Sequence, residues 1–429
     1  MYDVAPSTKY TNTIVTKNKF TDKPMALFGV LVLGAYFTMW MYVLSSFPEA
    51  KTVGLDFLKM LTTSKGILEN FLIPVCSVLF LSMLSIFVLV LIPKQAIHIS
   101  IIGNTILYGI LGAYTKSVPF VLLAMATAVM YLFSFKAIER ASYIIRGVAQ
   151  VLLVNVRAML LFIICGYSVS YFLGASSMFL FKMNNEVANC NPVPFYVNVV
   201  STFIYVIFLG YAGDVYFARI VFKHMVSRAE GRNISVIASA VKRVVYSFGT
   251  IVFATTISFI VLVLRAALDY IKEKHHREKK DGLAFLLISI LLFIAAIFLF
   301  ILDVVVETMN TYALTYNSLF GEGYRKSIKE SYNIVTNYRS TYRSSVYFVA
   351  TVFAFINVIG ACLVKSFLNK PLMEYIFPIS VGVALLVTVL NSVLSGFLAF
   401  EFVMIKDKGL VEAVFPEIIT KVLERGYSL

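Results

Sequence analysis

The amino-acid sequence predicts an all-α, polytopic integral membrane protein with about ten transmembrane helices. Three observations carry that prediction. Ten apolar runs recur along the 429 residues, each long enough to cross a bilayer, where a span needs about 20 residues. The composition is 59 % hydrophobic and only 14 % charged, with a mean hydropathy of +0.85, against about 25 % charge in a soluble domain. The net charge of +14 is grouped in alternate connections, as in chains that keep their Lys and Arg on the cytoplasmic side beside anionic lipid. Membrane lipid, not nucleic acid, is therefore the expected partner of the basic residues. Helix is expected over barrel strand because each run is uniformly apolar and backbone groups in hydrocarbon bond within their own segment.

The elements follow in order. Residues 1–24 form a polar tail with Lys9, Lys17, Lys19 and Lys23. It has no apolar core followed by a small-residue cleavage site, so the first apolar run is expected to direct insertion. The transmembrane domain is expected over 25–405. Its first spans are 25–46, 69–93, 99–115 and 118–136. Residues 137–156 set Arg140, Arg146 and Gln150 among apolar positions three and four apart. That spacing suggests an amphipathic helix on the membrane surface, or a cytoplasmic extension of the next span. Spans 157–182 and 194–217 lead to a basic connection with Arg219, Lys223, Arg228, Arg232, Lys242 and Arg243. Spans 246–265 and 283–306 precede Arg325, Lys326, Lys329, Arg339 and Arg343. Spans 346–367 and 374–402 complete the set, and 406–429 is a tail, amphipathic over 410–425 and interrupted at Pro416. The charges place both termini in the cytoplasm. One loop opposes this: 269–281 carries Lys272, Lys274, Arg277, Lys279 and Lys280 where alternation puts it outside.

The interior is poor in charge and rich in rings. The central thirds of the spans hold almost no ionisable residue, which argues against an ion pump and against an anion carrier. Asp214, Asp303, Glu307 and Glu401 are expected toward cytoplasmic ends, as interfacial carboxylates or, for Asp214 between Tyr211 and Tyr216, as an attractor of cations. The chain has 37 Phe and 25 Tyr. A ring face attracts a quaternary ammonium by about 0.5–2 kcal/mol, so a cage of rings can bind such a cation without a fixed charge. Tyr36 and Trp40 share a helix face and are candidates either for that cage or for an interfacial aromatic belt. Tyr205, central in the sixth span, is the better cage candidate. Asn357 and Asn391 are central polar groups that suit a substrate hydroxyl or a bond between helices. Gly34, Gly109, Gly249 and Gly360 suggest close helix approach. Of the four cysteines, only Cys190 falls in an outer loop, so a free thiol is expected there. No metal-ligand spacing, phosphate loop or nucleophile elbow is present; no enzyme activity and no cofactor are expected.

Several segments resemble the choline transporter-like family. Phe20-Thr21-Asp22-Lys23-Pro24 is similar to the family's Thr-Asp-x-Pro segment before the first span. Ser247-Phe248-Gly249-Thr250-Ile251 and Leu264-Arg265-Ala266 resemble the opening and closing of its seventh span. The strongest resemblance is Phe320-Gly321 followed by Tyr324, Ser327, Lys329 and Tyr332. The tenth span runs into Phe402-Val403-Met404-Ile405-Lys406-Asp407, similar to the family's exit. The resemblance implies a ten-helix plasma-membrane transporter of choline or a related cationic amine. With the charge-poor interior, the expected mechanism is uncoupled transport through an aromatic-lined central cavity. The alternatives are a non-transporting scaffold or lipid-interacting protein, and a channel or transporter for another small organic cation.

Overall fold

The computed structural model describes residues 19–46, 72–115, 118–133, 135–186, 193–232, 234–277, 283–337, 388 and 392–423. These form α1 (Lys23–Ser46), α2 (Ile73–Leu91), α3 (Pro93–Thr115), α4 (Val118–Phe133), α5 (Phe135–Val154), α6 (Val156–Glu186) and α7 (Val193–Glu230). They continue as α8 (Val236–Tyr246), α9 (Phe248–Arg277), α10 (Leu283–Phe320) and α11 (Tyr324–Asn337). A helix over 392–406, α12, is followed by α13 (Lys408–Val414) and α14 (Pro416–Leu423). Among the described residues there is no strand, and six helices, α1, α3, α6, α7, α9 and α10, are long and apolar enough to cross a membrane. The ninth expected span, Asn357, Gly360 and Asn391, and Cys190, lie outside the described residues.

The amphipathic segment forms a helix of its own. In α5 the apolar stripe Ile138, Ala141, Ile145, Val148, Ala149 and Leu152 is buried, while Arg146 and Gln150 face outward. α5 packs on α2, α3 and α7, and α14 covers it. The tail is interrupted at Pro416 as expected: α13 ends at Val414, and Pro416 starts α14, where its missing N–H is free of cost. Asp407 accepts from the Leu410 amide at 3.1 Å and starts α13.

Three helices overrun the spans the apolar runs suggest. α7 continues past residue 217 because Ile220, Val221, Phe222, Met225 and Val226 keep a buried face. α9 continues through 269–277, so most of the supposed outer loop is helix. Asp269 pairs with Lys272 at 3.8 Å, and Glu273 with Arg277, one turn apart along it, and no Gly or Pro stops it before Gly282. α10 continues past 306 through a buried stripe of Asn310, Thr311, Thr315, Asn317 and Ser318, and ends at Gly321, whose φ of 78° suits a helix C-cap. Asp303 therefore lies midway along α10, paired with Arg265 of α9 at 3.2 Å, and not at a helix end.

α7 is the hub. It packs against α1, α5, α6, α8, α9, α10 and α13. Close approach is made at Gly249, where a Cβ would meet the Asp22 carbonyl oxygen at 2.3 Å, and also by glycines the apolar pattern does not single out. A Cβ at Gly213 would meet Thr388 at 2.7 Å, and one at Gly396 would meet Val148 at 2.6 Å. No described residue lies within 4 Å of a Cβ placed at Gly34 or Gly109.

Candidate functional site

α7 presents two opposite faces. Tyr205 and Asp214 are nine positions apart, which at about 100° per residue puts them on opposite sides of the helix. The Tyr205 face meets α6. The Tyr205 hydroxyl donates to the Gly166 carbonyl at 3.3 Å, and the Tyr216 hydroxyl to the Ala158 carbonyl at 3.0 Å. Two turns before Tyr205, Asn198 is fully buried. It accepts from the Tyr36 hydroxyl at 2.6 Å and from Ser176 at 3.2 Å, and donates to Ser177 at 2.6 Å. One turn along α1, Trp40 stacks on Phe179 of α6 with ring centroids 5.9 Å apart. Tyr36 and Trp40 thus turn toward α6 and α7.

Rings continue down the α6–α7 seam. Tyr171 stacks on Tyr167 at 6.3 Å, and Phe162 stacks on Tyr216 at 5.3 Å and meets Phe217 edge-on at 5.2 Å. The pairs Trp40–Phe179, Tyr171–Tyr167 and Phe162–Tyr216, with Tyr205 on the same face of α7, are the steps of an aromatic ladder along the seam.

The other face of α7 is polar. Asp214 is buried and accepts from Ser395 of α12 at 2.5 Å and from Thr311 of α10. One turn before it, the Tyr211 hydroxyl bonds Ser258 of α9 at 2.6 Å. The Asn310 amide donates to both, at 2.9 Å each, and its carbonyl accepts from the Tyr324 hydroxyl. α7, α9, α10 and α11 are joined here through side chains that a lipid-facing helix could not satisfy.

A third cluster closes the end of the bundle where α1 begins. The Asp22 carboxylate accepts from the Thr250 hydroxyl at 2.6 Å and from the Tyr324 amide at 2.8 Å. The Thr21 amide donates to the Tyr246 carbonyl at 3.0 Å, and its hydroxyl bonds Thr250 at 2.7 Å. Asn317 donates to the Glu322 carbonyl and reaches Thr250 at 3.3 Å. Arg219 donates to the carbonyls of Ser318 and Leu319 at 3.3 and 3.4 Å, and Arg243 to that of Asn317. Two buried guanidinium groups thereby cap the C-terminal carbonyls of α10, where positive charge is favoured.

A family model of the plasma-membrane choline transporter matches residues 118–407, more than half of the chain. The chain belongs to the plasma-membrane choline transporter family. A choline transporter function follows from that membership. A search of the curated proteins gives no match. For this family member the third cluster has a particular meaning: three of the segments that carry the resemblance, at Thr21-Asp22, Gly249-Thr250 and Gly321–Tyr324, meet in one place. The first of them lies before the matched range.

Of the residues singled out from sequence, Tyr36, Trp40 and Tyr205 share the α6–α7 side, and Asp214 stands on the opposite face of α7. Asn198, Ser258, Asn310, Asn317 and Ser395 were missed. Asn310 and Asn317 carried a usable signal, since they lie seven apart, on one face of α10. Among the described residues no group of three or more His, Cys, Asp or Glu side chains could hold a metal ion.

Proposed function

We propose that the chain moves choline or a related cationic amine by an uncoupled route, driven by the amine's gradient and the membrane potential, with both termini in the cytoplasm and ten spans in all. The aromatic ladder of the α6–α7 seam carries this reading. Each ring attracts a quaternary ammonium by about 0.5–2 kcal/mol, and a row of rings hands the cation on without a deep trap. Asp214, the carboxylate of α7, points away from the ladder to Ser395 and Thr311. The path therefore has rings but no fixed negative charge on that side.

Potential-driven uptake tests it. A monovalent cation gains about 2.3 kcal/mol per 100 mV, which at about 1.4 kcal/mol per tenfold supports accumulation of about fifty-fold. Proteoliposomes with a potassium diffusion potential, no sodium and equal pH should accumulate choline. Uptake that ignores the potential and follows an imposed pH gradient, and that loses this response in Asp214→Asn, would overturn the uncoupled mechanism and make Asp214 the coupling group.

The Tyr205 ring is tested separately. Tyr205→Leu should weaken amine binding by about tenfold, from roughly 1–2 kcal/mol for a desolvated cation–π contact. Tyr205→Phe keeps the ring and should bind nearly as well. Equal loss in both would move the role to the hydroxyl, and no loss in either would remove Tyr205 from the path.

A further inference from the structure

We propose that Tyr324, held in place by Asp22, is the gating residue at the basic end of the bundle; the idea rests on the transport reading above. Tyr324 is the first residue of α11, just after the Gly321–Gly323 elbow that ends α10. The elbow turns its ring inward. The ring is buried, lies 4.6 Å from that of Phe253 on α9, and sends its hydroxyl to Asn310. Through Asn310 it is linked to Tyr211 of α7 and Ser258 of α9. One side chain thus stands among α7, α9 and α10 at the end where Arg219, Arg243, Lys242, Arg325 and Lys326 collect.

Asp22 positions that side chain from outside the bundle. Its Oδ2 holds the Tyr324 amide and the Thr250 hydroxyl together. Its own carbonyl receives the amides of Met25 and Ala26 and so starts α1. It does this with φ of 48°, a left-handed conformation uncommon for a residue other than glycine, of the kind stored at switch regions. α1, α9 and α11 therefore meet on one carboxylate. Such a junction suits a gate. Hydrogen bonds to protein exchange for bonds to water at a small net cost, about 0.5–1.5 kcal/mol each, so the elbow can swing out with water replacing Asp22. An interdigitated apolar contact has no such replacement. The two ends of Tyr324 also report different things: the amide senses the strap before α1, and the hydroxyl senses the α7–α9–α10 interior.

The test is access to the interior. Ser258→Cys is placed in protein whose four native cysteines are Ser, and reconstituted vesicles receive an impermeant trimethylammonium methanethiosulfonate on the side of the basic end. Labelling should be slow. Asp22→Asn, which removes the charge from the acceptor, and Thr250→Val, which removes a donor, should each speed it by about tenfold, the effect of weakening one charge-assisted bond. The acceleration should vanish when the reagent is on the opposite side only. Unchanged labelling in both variants, with monodisperse protein, overturns the gate. Acceleration by Thr250→Val alone overturns the part given to Asp22. Choline uptake by the same vesicles separates the two ideas. Uptake with unchanged labelling sinks the gate alone, and faster labelling without any uptake by the parent protein keeps the opening and sinks the transport reading.

Discussion

Replacing Asn310 by Leu should destabilise the protein by about 2–4 kcal/mol and remove most of its uptake, because two or more buried polar groups lose their partners at about 1–3 kcal/mol each. Asn310 is fully buried. Its amide serves Tyr211, Ser258 and the Ala254 carbonyl, and its carbonyl serves Tyr324. Tyr211 and Ser258 keep each other at 2.6 Å, so the larger part of the loss falls on Tyr324. Average bonds between membrane helices are worth only about 0.6 kcal/mol; Asn310 exceeds that because it joins four helices at once. The measurement is the thermal midpoint of purified protein in detergent, with uptake alongside. A second substitution refines it. Tyr324→Phe deletes the orphaned hydroxyl, so the double variant should regain part of the stability lost in Asn310→Leu, a coupling that a double-mutant cycle reads directly. If Asn310→Leu melts with the parent, the network holds nothing together.

Gly249→Ala should cost about 1–3 kcal/mol, the range for overpacking a tight contact, and should impair uptake as well. A Cβ there would lie 2.3 Å from the Asp22 carbonyl oxygen and 2.5 Å from that of Thr21. Both are backbone atoms, so the strap before α1 must move. The bonds of Thr21 to Tyr246 and Thr250, and of Asp22 to Thr250 and Tyr324, move with it. Gly34→Ala is the matched control. It lies mid-helix in α1 with none of the described residues within 4 Å of its Cβ position, and there alanine should be neutral or stabilise by roughly 0.5–1 kcal/mol through helix propensity. Equal thermal midpoints and uptake for the two variants would refute the close packing at Gly249.

Much of the architecture was legible because it depends on short stretches of chain. The three- and four-residue spacing of Ile138, Ala141, Ile145, Val148 and Leu152 is enough to define the buried stripe of α5. The uniform apolar runs are enough to define α1, α3 and α6. The ends of α7, α9 and α10 were not legible by the same means. Hydropathy falls where a helix turns polar groups inward, as α10 does from Asn310 to Ser318, and it falls equally where a helix ends. Charge has the same ambiguity: the Lys- and Glu-rich stretch that reads as a loop is the last two turns of α9.

What the sequence determined by itself is that this chain lives in a bilayer as helices, and which family it resembles. In hydrocarbon each segment must satisfy its own backbone, so a run of about 20 apolar residues settles its own fate without reference to any other. The partners of the polar side chains were decided only by the tertiary structure. Thr21 and Thr250 bond across 229 positions, and Asp22 and Tyr324 across 302. The nine-residue spacing puts Tyr205 and Asp214 on opposite faces of α7, but that one face meets the rings of α6 and the other the hydroxyls of α10 and α12 follows from how the helices pack. A buried polar group is satisfied by whatever neighbour the packing brings to it, and that neighbour is set by many weak contacts over the whole bundle.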